Sequence, residues 1–186
     1  SNQNDQHGGQ SIPAFDHYLA PGVLQTFRKQ LKQTISDLLD FSCFDTYVNM
    51  ATVAKEIDKI DTIGVKVEYF DRFIKDNEML HRLFAMSIDK AYKKTNRVTY
   101  QAMEAFVHNL NTMHSRAGAQ VPFSSVNFGT DTSLEGRMVV ENYLLAVEAG
   151  LGHAETPIFP ISIFKVKEGI NYNKEDPNYD LFKLAC

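Results

Sequence analysis

Between Gly118 and Gly129 the sequence reads Gln120-Val121-Pro122-Phe123-Ser124-Ser125-Val126-Asn127-Phe128. Apolar and polar residues alternate along this stretch, and alternation with a period of two predicts a β-strand. Because successive side chains of a strand point to opposite faces, one face of this strand is expected to be unusually polar.

A helix and a second strand are predicted after this first strand. Thr132 or Ser133 is a suitable N-cap for a helix that Gly150 ends. Residues 158–166 read Ile-Phe-Pro-Ile-Ser-Ile-Phe-Lys-Val and predict the second strand. A strand, a helix and a strand in this order form a βαβ unit, whose strands are parallel and whose crossover is right-handed.

Apolar residues at spacings of three and four predict three further helices upstream. The first covers residues 22–40 and follows a break at Pro21-Gly22. The second opens at Asn77 and ends at the basic residue Lys94, which suits the negative end of a helix dipole. The third is expected to begin at the cap residue Thr99.

Only short helices are expected from residue 44 to residue 76, where aromatic residues mix with closely spaced charges. The chain therefore divides into a mainly helical part, residues 1–98, and a helix-strand-helix-strand part, residues 99–186. The predicted fold class is α/β, with a helical first half and a βαβ second half.

Composition limits the classes of protein to which the chain can belong. Its 186 residues, 44% of them hydrophobic, are enough to bury a core. The 19 Lys and Arg residues against 23 Asp and Glu residues give a formal net charge of -4, which provides no basic field for nucleic acid or anionic lipid. No apolar run approaches the roughly 20 residues that span a bilayer. We therefore expect a soluble cytoplasmic protein that binds neither nucleic acid nor membrane.

Both ends of the sequence are unusual for a natural domain. The chain opens with Ser1-Asn2 in a polar stretch and stops at Cys186 within a segment of helical composition that has no C-cap residue. We expect the chain to be a piece of a longer protein.

The densest polar stretch runs from His108 into the first predicted strand. Arg116 offers a planar fork for phosphate or carboxylate, and the small residues around Gly118 allow main-chain donors to approach a phosphate. The strand then offers four neutral polar side chains that suit a polyhydroxylated ligand better than proton transfer. These are Gln120, Ser124, Ser125 and Asn127. Alternation allows only one of the two serines to face such a ligand, and the competing interpretation is that these side chains are simply solvated.

Three other groups are weaker candidates for a site. Gly8-Gly9 before Gln10 allows main-chain amides to face an anion, although the motif is neither a P-loop nor GxGxxG. His153 and Glu155 lie two residues apart without a third ligand nearby, so no metal site is predicted. Of the two cysteines, Cys43 has an apolar context typical of a core residue, whereas Cys186 is a candidate nucleophile or radical carrier.

Four segments, in the same order, closely resemble the anaerobic, class III ribonucleoside-triphosphate reductases. They are residues 4–13 (NDQHGGQSIP), 109–132 (NLNTMHSRAGAQVPFSSVNFGTDT), 148–160 (EAGLGHAETPIFP, without its central His153-Ala154) and 176–186 (DPNYDLFKLAC). The resemblance covers essentially the whole chain. It implies a part of a much longer catalytic subunit that is built as a ten-stranded α/β barrel of the glycyl-radical enzyme type.

The resemblance also implies a reaction with its cofactors and partners. In such enzymes a separate radical S-adenosylmethionine activating enzyme installs a glycyl radical, which generates a thiyl radical on a finger-loop cysteine. The thiyl takes the 3' hydrogen of a ribonucleoside triphosphate, water leaves from C2', and formate is the reductant. ATP and deoxynucleotide effectors regulate the homodimer, and a zinc site lies near the C-terminus of the subunit.

Mapping this chemistry onto the sequence gives candidate residues. The polar strand with Arg116 and Gly118 becomes the substrate-binding region, and Gln10, with the helix at 22–40, becomes a candidate for the effector site or dimer face. Cys186 is the candidate thiyl cysteine, in competition with a cysteine that the family carries farther downstream in a Met-Gly-Cys-Arg context. The glycyl loop, the zinc cysteines and the ATP-binding cone domain have no counterpart in these residues, so the piece alone is expected to be inactive.

Two rival functions stay open from the sequence. The chain is alternatively a non-catalytic nucleotide-binding or dimerisation module, which binding of deoxynucleoside triphosphates would favour. Another glycyl-radical enzyme, such as a relative of formate lyase, is disfavoured because the sequence has no adjacent pair of cysteines.

Overall fold

A computed structural model describes residues 8–42, 48–74, 77–112, 121, 123–152 and 155–186. Helices and strands alternate irregularly along these residues, and a short 3₁₀ turn at Val67–Phe70 precedes α3. In chain order the elements are β1 (Gln10–Ile12), α1 (Phe15–Ser42), α2 (Met50–Ile57), α3 (Asp71–Ile74), α4 (Glu78–Thr112), β2 (Ser124–Phe128), α5 (Leu134–Ala149), β3 (Ile161–Phe164) and α6 (Tyr179–Ala185).

The chain forms two compact units. The helical unit consists of residues 22–97, and the sheet unit combines residues 1–21 with residues 98–186. Helix α1 begins in the sheet unit and continues into the helical unit, whereas α4 runs from the helical unit into the sheet unit.

The predicted βαβ unit is confirmed. Strands β2 and β3 are parallel neighbours, with Asn127 opposite Ile163, and α5 connects them. Ser133 is the N-cap of α5, because its Oγ accepts the Gly136 N–H at 3.1 Å, and Gly150 ends the helix with a φ of +70°. Strand β3 is shorter than the predicted 158–166, since the residues around Pro160 do not pair with a neighbouring strand, and Gln120 and Pro122 of the first predicted strand lie outside the described residues.

A third strand, β1, pairs in parallel with β2 on the side opposite β3. The sequence analysis did not predict this strand, which lies within the part expected to be mainly helical. A three-residue strand is too short to show a period of two, so its only signal is long-range pairing with β2. The result is a parallel sheet in the order β1-β2-β3.

Helix α5 supplies the aromatic core on one face of the sheet. The buried ring of Tyr143 lies 5.1 Å from that of Phe128 in β2 and 5.4 Å from that of Phe15 at the start of α1. Phe15 also stacks on Phe106 of α4 at 5.3 Å. Burial of large aromatic rings is the main source of stability for such a layer.

The amphipathic stripe predicted for the first helix forms the core of the helical unit. Phe27, Leu31 and Ile35 are fully buried, and so are Val53 and Ile57 of α2. The buried apolar residues of α1 and α2 belong to one unit. Burial of apolar side chains therefore stabilises short helices for which the sequence has no strong local signal.

Three helix boundaries predicted from the sequence are wrong: the start of the first helix at residue 22, the end of the second at Lys94 and the start of the third at Thr99. Helix α1 begins at Phe15 and passes through Pro21, because the buried first turn at Phe15 and Asp16 offsets the one hydrogen bond that proline cannot donate. Thr99 does not cap a new helix but lies inside α4. No glycine or proline interrupts residues 93–99, and the Thr95 hydroxyl donates to the Ala91 carbonyl within the same helix at 2.8 Å.

Candidate functional site

The face of the sheet opposite α5 carries the polar residues that the alternating pattern predicts. We call it the open face and define it by Ser11, Ser125, Asn127, Ile161 and Ile163. Ser125 lies opposite Ser11 in β1 and Ile161 in β3, so the three side chains share a face. Both isoleucines and Ser11 are exposed, and Ser125 and Asn127 are half-buried.

Asn127 is a residue of β2, and its side chain on the open face reaches residues of β1. Its Nδ2 lies 3.3 Å from the Ser11 Oγ and 3.4 Å from the Ile12 carbonyl oxygen, at the long end of the hydrogen-bond range. The open face therefore offers a row of neutral donors and acceptors beside apolar surface, which is suitable for holding a sugar.

The two serines of β2 lie on opposite faces. Ser124 is buried with Val126 and Phe128, on the face that α5 covers, whereas Ser125 shares the open face with Asn127. Of the two serines that the sequence left as alternatives, Ser125 has the placement that suits a shared site with Asn127.

The other candidate residues are not all described by the structure. Arg116, Gly118 and Gln120 lie outside the described residues, as do Cys43 and His153.

Gln10 and Cys186 are described. Gln10 is the exposed first residue of β1, and its main-chain N–H donates to the Phe123 carbonyl at 3.1 Å. Cys186 is an exposed free thiol directly after α6.

Three buried side chains hold the loop that follows β2. The Asp16 Oδ2 accepts the N–H groups of Gly129 and Asp131 at 2.9 and 3.1 Å. The Nδ2 groups of Asn171 and Asn178 donate to the Gly129 carbonyl at 2.7 and 3.3 Å, and Asn178 also donates to the Asp131 carbonyl at 2.8 Å. We call Asp16, Asn171 and Asn178 the strand-end clamp.

The two amides of the strand-end clamp are oriented by further bonds. The Oδ1 of Asn171 accepts the Lys167 N–H at 2.8 Å, and the Oδ1 of Asn178 accepts an N–H of the Arg137 guanidinium at 2.7 Å. Each amide nitrogen is therefore directed toward the loop after β2.

Arg137 is held in turn by Asp180 of α6. The guanidinium donates to the Asp180 carboxylate at 2.5 Å, and this hydrogen bond is the main reason why the pKa of Asp180 is lowered. The carboxylate is 63% exposed, so solvent screens the pair.

Tyr143 is the titratable group whose pKa is most displaced among the described residues. Burial raises the pKa of Tyr143 to about 12, and a hydrogen bond to Ser162 lowers the pKa by less than burial raises it. Its hydroxyl lies 2.6 Å from the Ser162 Oγ on the face of the sheet that α5 covers. The phenol therefore stays neutral at physiological pH and serves the core rather than the open face.

The sequence did not point to the strand-end clamp. Asp16 lies 113 residues from Gly129 in the sequence, Asn171 lies 42 residues from it, and Asn178 lies 49 residues from it. The one local signal was Gly129 directly after the strand, since a glycine at a strand end marks a turn.

Neither a metal-binding cluster nor a membrane-spanning helix is present among the described residues. No three His, Cys, Asp or Glu side chains in those ranges lie close enough together to hold a metal ion. None of the helices in the part of the chain that the structure describes is both long and apolar enough to cross a bilayer.

Comparison with known proteins identifies the family. The family model of anaerobic ribonucleoside-triphosphate reductase matches residues 1–186. The chain is 37% identical over 135 residues to the anaerobic ribonucleoside-triphosphate reductase of Enterobacteria phage T4, a match that covers 72% of this chain and 22% of the phage protein.

Two bacterial proteins of the same name give shorter matches. Identity is 38% over 96 residues with the Escherichia coli protein and 39% over 87 residues with the Haemophilus influenzae protein. These matches cover 51% and 46% of this chain but only 13% and 12% of the relatives. The chain spans less than a quarter of the length of the relatives it matches, and because the family model matches all of it, the chain belongs to the anaerobic ribonucleoside-triphosphate reductase family.

Proposed function

We propose that the chain is part of the catalytic barrel of an anaerobic ribonucleoside-triphosphate reductase and that its open face contacts the substrate. The observation that carries the proposal is the placement of Ser125 and Asn127. Both lie on the face of a parallel sheet that is turned away from the connecting helix α5. In an α/β barrel the helices lie outside, so the opposite face of the strands lines the interior.

The proposed substrate is a ribonucleoside triphosphate, which the enzyme reduces to the deoxyribonucleoside triphosphate. Ser125 and Asn127 donate to and accept from the ribose hydroxyls and so orient the sugar. Arg116 and main-chain donors near Gly118 are proposed to bind the phosphates, and Gln120 is proposed as a further substrate-binding residue. A sugar held by neutral groups keeps its hydroxyl protons until the radical chemistry begins.

Radical chemistry is supplied by groups outside the residues just named. In the family that the sequence resembles, a glycyl radical generates the thiyl that starts the reaction at the ribose, with formate as the reductant. Cys186 is the proposed thiyl residue in this chain, and a downstream cysteine is its competitor. The zinc site of the family is proposed to lie outside these residues, and the described residues include no group of three His, Cys, Asp or Glu side chains that could hold a metal ion.

The proposal extends to partners and location. The parent enzyme is a homodimer in the cytoplasm, is activated by a radical S-adenosylmethionine enzyme, and takes ATP and deoxynucleotides as effectors. Gln10 is proposed to contribute to the effector site, since it is exposed at the start of β1.

The test is Asn127→Ala in the full-length enzyme, activated anaerobically and assayed with formate and each ribonucleoside triphosphate. We expect kcat/KM to fall about tenfold, the equivalent of about 1.4 kcal/mol for one lost hydrogen bond to the ribose. The matched control is Asn173→Ala, because Asn173 is exposed in the loop before α6. Equal kinetics for the two variants would remove Asn127 from the site.

The assignment of faces has its own test. Ser125→Ala is expected to raise the KM for the nucleotide, whereas Ser124→Ala is expected to lower stability, because Ser124 is buried on the α5 side. The opposite result, a kinetic defect in Ser124→Ala with normal kinetics in Ser125→Ala, would show that the other face binds the substrate.

A further inference from the structure

The loop after β2 has its main-chain groups bonded from several directions. Asp16 accepts both N–H groups of Gly129 and Asp131, and two asparagines donate to both carbonyls of the same residues. The three side chains come from the start of α1, from the loop after β3 and from the residue before α6. The start of α1 and two positions of the segment between β3 and α6 thus meet on one short loop.

Burying the polar side chains of the strand-end clamp costs desolvation free energy, which their hydrogen bonds to the loop offset. Asp16 is 1% exposed, and Asn171 and Asn178 are 0% exposed. Replacing one of these side chains by an apolar residue would leave main-chain groups of the loop without a partner, and the directions of the hydrogen bonds fix the orientation of the peptide planes. The clamp therefore fixes the direction in which β2 ends rather than merely filling space.

The loop it fixes stands at a functionally important place. Ligands of open parallel sheets bind beyond the carboxyl ends of the strands, and Gly129 is the first residue beyond the carboxyl end of β2. Asn127 lies two residues before Gly129, so the clamp bonds the chain directly after the strand that carries this side chain. Gly129 also lies close to Phe164 of β3, since a Cβ added at Gly129 would be 2.9 Å from the Phe164 ring.

We propose that Asp16, Asn171 and Asn178 are positioning residues that hold Asn127 in its substrate-binding position before the nucleotide arrives. This inference rests on the proposed function of the open face. The clamp supplies no group to the substrate; it lowers the cost of binding, because the strand end is already ordered.

The test is a double-mutant cycle on kcat/KM in the full-length enzyme, using each of the four ribonucleoside triphosphates. Asp16→Asn keeps the shape of the side chain but leaves one oxygen to serve three N–H groups. Alone it is expected to raise KM about fivefold while kcat changes less than about twofold. In the background of Asn127→Ala it is expected to have no further effect on KM, because it acts through Asn127.

The cycle separates the two proposals. If Asn127→Ala lowers kcat/KM and Asp16→Asn adds its full effect on top, the open face binds the substrate but the clamp does not position Asn127. If Asn127→Ala has no effect, the proposed substrate face is wrong and the positioning role is overturned with it. Ile57→Val in the helical unit is the control for lost stability alone, since Ile57 is fully buried there.

Asn178→Asp is the second variant, because it keeps the acceptor for Arg137 and loses both donors to the loop. A measurement on the unmutated enzyme covers the case in which neither variant folds. Hydrogen exchange of the peptide 124–131 is expected to be slow already without nucleotide and to slow less than about twofold when it binds. Fast exchange that becomes slow only with nucleotide would overturn the proposal.

Discussion

The side-chain amide of Asn111 holds the backbone of Phe159 from both sides. Its Oδ1 accepts the Phe159 N–H at 3.0 Å, and its Nδ2 donates to the Phe159 carbonyl at 2.6 Å. The same amide accepts the Ile158 N–H at 2.9 Å and donates to the Val107 carbonyl at 2.7 Å. All four hydrogen-bonding positions of the asparagine are used, so the end of α4 is tied to the segment that leads into β3.

Asn111→Ala should therefore destabilise the sheet unit. The substitution leaves the N–H groups of Ile158 and Phe159 without their side-chain acceptor, and because Ile158 is exposed and Phe159 half-buried we expect a cost of about 0.5–1.5 kcal/mol. The measurement is the free energy of unfolding from urea denaturation. Asn109→Ala is the control, because Asn109 is exposed two residues earlier in α4, and a loss as large as that of Asn111→Ala would contradict the role of the amide.

Gly129→Ala should lower stability for two reasons, backbone strain and a close approach to Phe164. Comparison with Gly152→Ala separates the two. Gly129 has a φ of +110°, and its added Cβ would also lie 2.9 Å from the Phe164 ring. Gly152 has a φ of +93° with nothing within 4 Å of the added Cβ. Gly152→Ala should thus show backbone strain of about 1–2 kcal/mol alone, and Gly129→Ala should lose more.

Thermal denaturation of the two variants gives the comparison. A smaller loss in melting temperature for Gly129→Ala than for Gly152→Ala would mean that Phe164 moves aside without cost, and the close approach of β3 to the strand end would then be unimportant for stability.

The part of the fold that was predictable from sequence is the part encoded locally. The βαβ unit was predicted because β2 and α5 each carry their own period, and Ser133 lies at a cap position that needs only its neighbours. Strand β1 was missed because three residues show no period, and Pro21 was misread because the burial of Phe15 outweighs a local preference.

The candidate site was predictable in kind but not in full. The polar alternation of β2 gave Ser125 and Asn127, yet which serine shares a face with Asn127 depends on the side that α5 covers, and α5 lies outside the strand sequence. The strand-end clamp depends on three asparagine or aspartate residues brought together by tertiary packing. Side chains of this type occur in many loops, so their spacing in the sequence carries no signal.

The pair of Arg137 and Asp180 predicts how stability changes in acid. The hydrogen bond from Arg137 lowers the pKa of Asp180 in the folded protein below its value in the unfolded chain, 3.8 for a model aspartate. The stabilisation is therefore complete above the unfolded-state pKa and is lost as the pH falls through the folded-state pKa. Because Asp180 is 63% exposed, we expect an effect of about 0.2–1 kcal/mol that salt weakens.

Urea denaturation between about pH 3 and pH 7 measures this effect. Asp180→Asn should lower stability at neutral pH and flatten this part of the acid dependence. Glu175→Gln, at an exposed position in the same loop region, is the matched control. An unchanged acid dependence in Asp180→Asn would show that the ion pair contributes nothing to folding.

Tyr143 predicts a change of stability in alkali. Burial raises the pKa of its phenol to about 12 in the folded protein, from 10.0 for a model tyrosine. Since the folded-state pKa of this acid is the higher one, its contribution is fully present below about pH 10 and is lost as the pH rises toward 12. Tyr143→Phe should remove this loss and cost about 0.5–1.5 kcal/mol at neutral pH, because the bond to Ser162 is broken.

Phenolate absorbance and urea denaturation across this alkaline range test the assignment together. Tyr172→Phe is the control, because Tyr172 is 61% exposed and its phenol is open to solvent. The expected result is that Tyr143→Phe removes a phenolate that appears only as the protein unfolds, whereas Tyr172→Phe leaves the free energy of unfolding at neutral pH unchanged. If the phenolate lost in Tyr143→Phe forms in the folded protein near pH 10, Tyr143 is open to water, and the aromatic core between α5 and the sheet is looser than its ring contacts indicate.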